Sequence, residues 1–451
     1  MKPLATRFAE WSHALQLESV PADVRREALR CIVDVTGVAL AGSALGTAQV
    51  VRRLAVGEAP GGSARVWGTP LNAPPASASL ANATAAHVLD FDDTCYDGIV
   101  HGSAAVWPAV LACAEFSGAS GTQTLEAFIA GVEVEYALGR ALPESVYYDG
   151  WWTSGVFGAI GAATGAAKAI GLCVDQTANA ISLAVCQAAG IRGLLGTDAK
   201  PYAMGRAART GVEAAQFAQA GLGAPVDAFE SDRGFIKLFA RSHFDEVRLS
   251  LGERYSLVDP GIAYKLYPAC SAVQAATETV LQFVSRHDLR PEDIAAIECD
   301  VTPLVAISLT YDQPASATQA QFSLPYALAC AVLYRDFGVL HIREPRFHAP
   351  EVKAIMRLVK MRRDDALEST ELGRQQNPEG ARVTVRLRDG RSLQSYSGAA
   401  TGMPQRPMSD ELLDSKFIGC ATTALSDESA QVLLSRLRTL PQCADLRDFW
   451  T

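Results

Sequence analysis

The amino-acid sequence predicts a mainly α fold with an inserted α+β domain: an all-helical domain drawn from both chain ends, plus a smaller α+β lid domain. Three observations carry that expectation. Apolar residues in the first half recur at helical spacing, strict alternation sets in after about Pro260, and helical spacing returns after Pro407. The expected boundaries are 1–264 with 404–451 for the helical domain and 265–403 for the α+β domain.

Leu4, Phe8, Trp11 and Leu15 share one helical face. Pro21 opens a second helix, striped by Val24, Ala28, Ile32 and Val35 and closing near Gly42. Leu125, Phe128, Val132 and Tyr136 form another stripe. From Gly155 to Gly171 the chain is mostly Gly and Ala with a few large apolar residues. Small residues at helical spacing let backbones approach closely, so this segment reads as a buried central helix. No strand precedes these glycines and no acidic residue follows at the needed distance, so a dinucleotide-binding turn does not fit. Ile297, Cys299 and Val301 alternate with polar residues as a half-buried strand would, and so do Val383, Val385 and Leu387. Asp389-Gly390 supplies a hairpin turn before Leu393 and Tyr396. Helical stretches fall near Ser323–Tyr334 and Pro350–Met361, the charged Met361–Gly380 segment reads as an exposed loop, and Ser409–Leu440 reads as helix.

The 451 residues are 49% hydrophobic and 20% charged, a globular balance that suggests two or three domains. A formal charge of −9 excludes a broad basic face for nucleic acid or an anionic membrane. An anionic substrate therefore needs a local cationic pocket. The ten cysteines show neither a CxxC pair nor a Cys/His cluster at zinc spacing, the pattern of reduced thiols. The N-terminus lacks a signal-peptide pattern, and no uninterrupted apolar run approaches the ~20 residues that span a bilayer. A cytoplasmic protein is expected.

The most unusual stretch is Asp90-Phe91-Asp92-Asp93-Thr94, followed by Asp97 and His101. Carboxylates this close repel one another and need donors, a cation or protonation. Capping aspartates at a helix end would account for them without any chemistry. Asp92-Asp93-x-x-x-Asp97 also resembles the Mg²⁺-binding motif of helical terpene synthases, but no second metal-binding motif accompanies it, and no metal site is expected.

A third reading comes from fragments spread over nearly the whole chain. These are Asp34–Gly42, His87–Thr94 with His101-Gly102-Ser103, Gly196–Lys200 with Gly205-Arg206, Arg233-Gly234-Phe235, Lys265–Pro268, Phe322–Tyr326, and Pro407–Ser409 with Lys416-Phe417. In this order they resemble the MmgE/PrpD family, the 2-methylcitrate dehydratase family. The resemblance implies a homodimer of two-domain subunits with the active site between the domains. It also implies 2-methylcitrate dehydration, cis-aconitate decarboxylation or iminodisuccinate epimerisation, none of which uses a metal or organic cofactor.

Carried over residue by residue, Asp90, Thr94 and His101 match the family's first cluster, with one residue more before His101 than in the decarboxylases. Lys200 matches its lysine, Lys265 a pocket lysine and Tyr326 a pocket tyrosine. Four positions depart: family histidines align with Trp152, Cys270, Gln274 and Ala203. An indole offers no transferable proton at neutral pH, whereas expelling water benefits from a general acid. Epimerisation needs only one group to take the α-proton and another to return one on the opposite face. The leading expectation is therefore a cofactor-independent epimerase of an amino- or iminodicarboxylate such as iminodisuccinate, with Lys200 and Tyr147 moving the proton and His101, supported by Asp90 and Thr94, polarising a carboxylate. Tyr148 is the alternative to Tyr147, and both tyrosines are equally readable as helix-end aromatics. Arg206, Lys265, Tyr326 and Trp152 complete the expected substrate pocket. Arg192, in an apolar run, calls for a carboxylate partner or substrate. His87 reads as a packed helix residue. The alternatives are a lyase, dehydratase or decarboxylase, with His101 as proton shuttle, and a family member that has lost activity and binds only. The expected partner is a small di- or tricarboxylate.

Overall fold

The computed structural model describes residues 2–58, 61–241, 243–368 and 377–450. The first half is helical: α1 (Leu4–Ala14), α2 (Ala22–Gly42), α3 (Gly46–Glu58), α4 (Pro75–His87), α5 (Gly102–Ser117), α6 (Gly121–Ala141), α7 (Ser145–Tyr148), α8 (Thr153–Ala169), α9 (Val174–Val185), α10 (Ala199–Gln219) and α11 (Phe235–Ala240). Short antiparallel pairs interrupt it, β1 (Ala64–Arg65) with β2 (Asn72–Ala73) and β3 (Thr94–Cys95) with β4 (Ile262–Ala263). No single described helix is long and apolar enough to cross a membrane.

As its composition predicts, α8 is the buried central helix; Lys168 is its one partly exposed residue. Its glycines permit the packing. A Cβ on Gly161 would stand 2.8 Å from Gly131 O of α6, and one on Gly165 would stand 2.6 Å from a Val110 methyl of α5. Helices α4, α5, α6 and α10 surround it or pack on its neighbours, so that the end of α4, the start of α5 and the start of α10 come together.

Strands gather later in the chain. β5 (Ile294–Val301), β6 (Val359–Arg363), β7 (Ala381–Leu387) and β8 (Ser392–Ser397) form a sheet of order β6-β5-β7-β8, with β5 and β6 parallel and the other pairs antiparallel. The hairpin turns at Asp389-Gly390 as expected, with Gly390 at φ 91°, where a glycine is needed. Around the sheet lie α12 (Gln274–His287), α13 (Pro303–Ser308), α14 (Ala317–Ala320), α15 (Leu324–Tyr334), α16 (Val339–Arg343) and α17 (Pro350–Met356). The chain closes with α18 (Asp410–Ala421) and α19 (Asp427–Arg438), which pack back on α2.

Three local expectations change. The helix expected to run to Met361 stops at Met356, because Val359–Arg363 pairs along β5 as an edge strand. The loop expected over Met361–Gly380 therefore begins as strand; its residues 369–376 lie outside the described residues. The helix expected over Ser409–Leu440 breaks in two, since Ser426 caps a new N-terminus by accepting the Ser429 N–H.

The α2–α4 crossing has no room for a side chain at Gly42, whose Cβ would lie 2.0 Å from Ala85 O and 2.7 Å from a Val88 methyl. Gly42→Ala is expected to destabilise the chain by about 1–3 kcal/mol, read as a lower urea midpoint at unchanged slope; a parental midpoint would show that the crossing can open.

Candidate active site

Helix α4 ends at His87, and the chain leaves it through Asp90 at φ 48°. Aspartate is among the few non-glycine residues that adopt this left-handed conformation readily, and the turn aims its carboxylate inward. The chain then passes Asp92, Asp93 and β3 before His101 caps α5. Pairing of Thr94 with Ala263 in β3–β4 brings Lys265 to the same point, and Lys200 enters from the first turn of α10.

Asp90 is the meeting point. Lys265 Nζ donates to its Oδ1 at 2.8 Å and to its carbonyl at 2.7 Å, while Lys200 Nζ lies 3.2 Å from Oδ2. Lys200 also donates to His87 Nε2 at 2.6 Å. His87 Nδ1–H donates to Asp92 Oδ2 at 2.8 Å, which fixes its tautomer and leaves Nε2 as the acceptor. His101 Nδ1–H donates to Asp93 O at 2.9 Å with Thr94 Oγ1 3.2 Å away. The remaining nitrogen, Nε2, keeps its lone pair and lies 3.8 Å from Asp90 Oδ1. The two imidazole rings are 4.7 Å apart, and the Trp152 ring walls the cluster 5.5 Å from His87 and 5.7 Å from Lys200 Nζ.

Burial and charge set the protonation states. Burial would raise Asp90, but the Lys200 and Lys265 ammonium groups hold it well below the usual carboxylate range. Asp92 is likewise held low, against burial, by His87 and His101. Burial drives His101 down to about 3, with Lys265, His87 and Lys200 adding to it against Asp92, and burial also lowers His87. Lys265 is raised because Asp90 and Asp92 outweigh its desolvation. Asp93 goes the other way: burial, with Asp34 nearby, pushes it up to about 8 despite the hydrogen bond it accepts from Ser103 at 2.5 Å. The cluster thus joins two ammonium groups, two carboxylates and two neutral imidazoles.

The loop is clamped from behind. Lys416 of α18 pairs with Asp34 of α2 at 2.7 Å and donates to Phe91 O at 2.9 Å, and the Gln321 amide donates to Val88 O at 2.8 Å. Beside Lys265 a second buried carboxyl, Glu379, accepts from Tyr96 and Ser271, each at 2.7 Å. The void there, about 10 Å³, has room for one water.

Of the residues singled out in the sequence, Asp90, Thr94, His101, Lys200, Lys265 and Trp152 converge. Tyr326 does not join them. It is fully buried, donates its hydroxyl to His341 O at 2.7 Å and packs on Phe337 and Phe347, a core role set by its place on α15. Arg206 opens instead on a cleft of about 610 Å³ bordered by Gln187 and Tyr202. Tyr147 stacks beneath Arg192, with the guanidinium carbon 4.4 Å from its ring centre, and Tyr148 is half exposed. His87 is a correction: the packed helix residue of the sequence reading is the bridge between Lys200 and Asp92. The aspartates of the terpene-synthase-like motif diverge, since Asp93 turns to Ser103 while Asp97 pairs with Arg140 at 3.3 Å. Donor atoms of His87, Asp90, Asp92 and His101 do lie within 4.8 Å of one another. Two ammonium groups already occupy Asp90, so a divalent cation would have to displace them.

The chain matches the MmgE/PrpD N-terminal domain over residues 6–246 and the MmgE/PrpD C-terminal domain over residues 267–440. It belongs to the MmgE/PrpD family. Within that family it is similar to cis-aconitate decarboxylase from Homo sapiens, 27% identical over 465 residues that cover 99% of this chain and 93% of the relative. It is also similar to cis-aconitate decarboxylase from Aspergillus terreus, 25% identical over 452 residues covering 94% and 90%. These MmgE/PrpD relatives are lyases by name, which weighs toward the lyase alternative and not toward iminodisuccinate epimerisation.

Two tests follow from the electrostatics. Asp90→Asn keeps the left-handed turn but leaves two buried ammonium groups without their carboxylate, so a loss of about 3–5 kcal/mol in chemical denaturation is expected; a loss below 1 kcal/mol would deny Asp90 its central place. Asp93 binds its proton more tightly folded than unfolded, so its contribution to stability is full below about pH 4 and declines as pH rises toward 8. Asp93→Asn, neutral throughout, is expected to flatten the fall in melting temperature between pH 5 and 8; an unchanged slope counts against the assignment.

Proposed function

We propose that this chain is a cofactor-independent lyase of small di- or tricarboxylates, with decarboxylation of a cis-aconitate-like acid the reaction to test first. The observation that carries the reading is the meeting of Lys200, Lys265 and two neutral imidazoles around Asp90. Of the three N–H bonds of each ammonium, Lys265 spends two on Asp90, and Lys200 spends one on His87 while its charge faces Asp90, so each retains a donor for a substrate oxygen or carbon.

In decarboxylation the bond to one carboxylate breaks, CO₂ leaves, and the electron pair remains on carbon, delocalised into a neighbouring carboxylate. Lys265 steadies that developing charge, and Lys200 delivers the proton that quenches the carbanion. His87, held by Asp92, accepts from Lys200 and orients its ammonium, and Lys200 regains its proton from solvent once product has left. His101 Nε2, which carries a lone pair, is the acceptor for a proton taken from carbon in the reverse sense or in dehydration. Asp90 and Thr94 orient these groups. Trp152 closes one wall and keeps water out.

The epimerase reading retains one supporting observation, the indole of Trp152 where family dehydratases and decarboxylases are expected to carry a histidine. In that case Lys200 and His101 face each other across the α-carbon, since Tyr147 lies under Arg192.

Purified protein incubated with cis-aconitate in D₂O is expected to release CO₂ and form a product with one deuterium at carbon. Deuterium entry with inversion and no CO₂ from an iminodicarboxylate would establish the epimerase instead. Lys200→Ala and His101→Ala are each expected to lower kcat by roughly 10²–10⁴. His101 stays neutral across pH 5–8, so kcat/KM should show no inflection near 6.5; one that His101→Gln abolishes would overturn its placement.

A further inference from the structure

Arg192 carries a charge that the fold leaves unanswered. Its guanidinium is half-buried; Nη2 donates to Ile307 O at 3.2 Å, and Nε, enclosed by protein, has no hydrogen-bond partner among the described residues. No carboxylate among them pairs with it either. A half-buried cation with an enclosed, unmet donor and no counter-charge is costly unless an anion arrives.

The group is nevertheless held in place. Arg192 N–H donates to Gly150 O at 2.8 Å, Ile191 bridges Trp151, and Trp152 N–H donates to Gly190 O at 3.1 Å. The segment carrying Arg192 is thus zipped to the segment that places Trp152 against Lys200 and His87. Beneath the guanidinium lies the Tyr147 ring, 9% exposed, at a distance that supports a cation on an aromatic face. Cys270 lies near both regions, within electrostatic reach of Tyr147 and of Lys265 and Asp90.

We infer that Arg192, seated on Tyr147, is the subsite for the second, non-reacting carboxylate of the substrate. The inference rests on the polycarboxylate reading and deepens it. A guanidinium presents a planar fork that takes a carboxylate by two parallel hydrogen bonds, and its two Nη groups still hold unspent N–H donors for it. The substrate then spans from Arg192, past Cys270, to the Lys200–Lys265 cluster, and selection for acids with two or three carboxylates over monocarboxylates follows. Tyr147 becomes the platform for the fork, not a proton-transfer group.

The test is calorimetric titration of the full chain with propane-1,2,3-tricarboxylate, which is unreactive, and with butyrate. Arg192→Gln is expected to weaken the tricarboxylate by roughly 10–100-fold, the range for hydrogen bonds to a charged group, and to leave butyrate unchanged. With cis-aconitate its KM should rise by the same factor while kcat holds within about threefold, the signature of lost uniform binding. Arg192→Lys keeps the charge and loses the fork, so it should still bind the tricarboxylate several-fold more weakly than the parent. If the parent binds the tricarboxylate and Arg192→Gln matches it, the subsite is wrong while the lyase reading stands. Should Arg192→Gln fail to fold, parental affinity in Arg192→Lys sinks the fork equally well. A parent that neither binds the tricarboxylate nor turns over cis-aconitate overturns both.

Discussion

The Asp90 carboxylate, shared between Lys200 and Lys265, is the constraint on which the rest of the site depends. Either ammonium buried alone would carry a desolvation cost of several kcal/mol. One carboxylate between them offsets much of that cost and makes their separation a fixed quantity. The sharing also ties three distant stretches of chain: the end of α4, the start of α10 and the segment after β4. That is why so many contacts converge on residues 88–94. The β3–β4 pairing, the Gln321 amide and the Lys416 ammonium each hold the backbone of this loop or of its neighbours. A left-handed aspartate is tolerable within a framework determined from so many sides.

The same arrangement settles the imidazoles. Both rings are buried beside two cations, so both resist protonation, and the hydrogen bond at each Nδ1 decides which nitrogen remains basic. For His87 that nitrogen is taken by Lys200; for His101 it is left over. Two histidines in one environment are thereby differentiated by their second partner, the logic by which neighbouring titratable groups divide acid and base roles.

Much of this was legible in the sequence, and what was not has physical reasons. Helix stripes such as Val24, Ala28, Ile32 and Val35 are local, and they report burial directly. The convergence of Asp90, His101 and Lys200 is not local and came through family resemblance alone. His87 was missed because its neighbours, Ala85, Ala86 and Val88, mark only an apolar helix end, while the partner that gives it meaning lies on α10. Tyr326 misled for the converse reason: a motif match says that a residue recurs, not that it faces the cleft, and its hydroxyl serves the main chain of α16. Strand β6 was hidden because its alternation, Val359 and Met361 against Lys360 and Arg362, runs for only five residues directly after the apolar spacing of α17.

Charge balance bears on how such a site accepts an anion. Two carboxylates and two ammonium groups already cancel, and the chain as a whole carries −9. A dicarboxylate or tricarboxylate arriving here meets no net attraction from the cluster itself, so affinity must come from donors still unspent. Lys200 and Lys265 each hold one, and because both share Asp90 they serve one end of a ligand. The far end of the substrate then needs a cation outside the Asp90 network, one whose donors no protein carboxylate has claimed. A cation inside the network would have to give up Asp90 to bind, losing about as much as it gained. On the proposed polycarboxylate reading, Arg192, whose donors no described carboxylate claims, meets that need, and the cost of leaving it unpaired is returned when the second carboxylate binds.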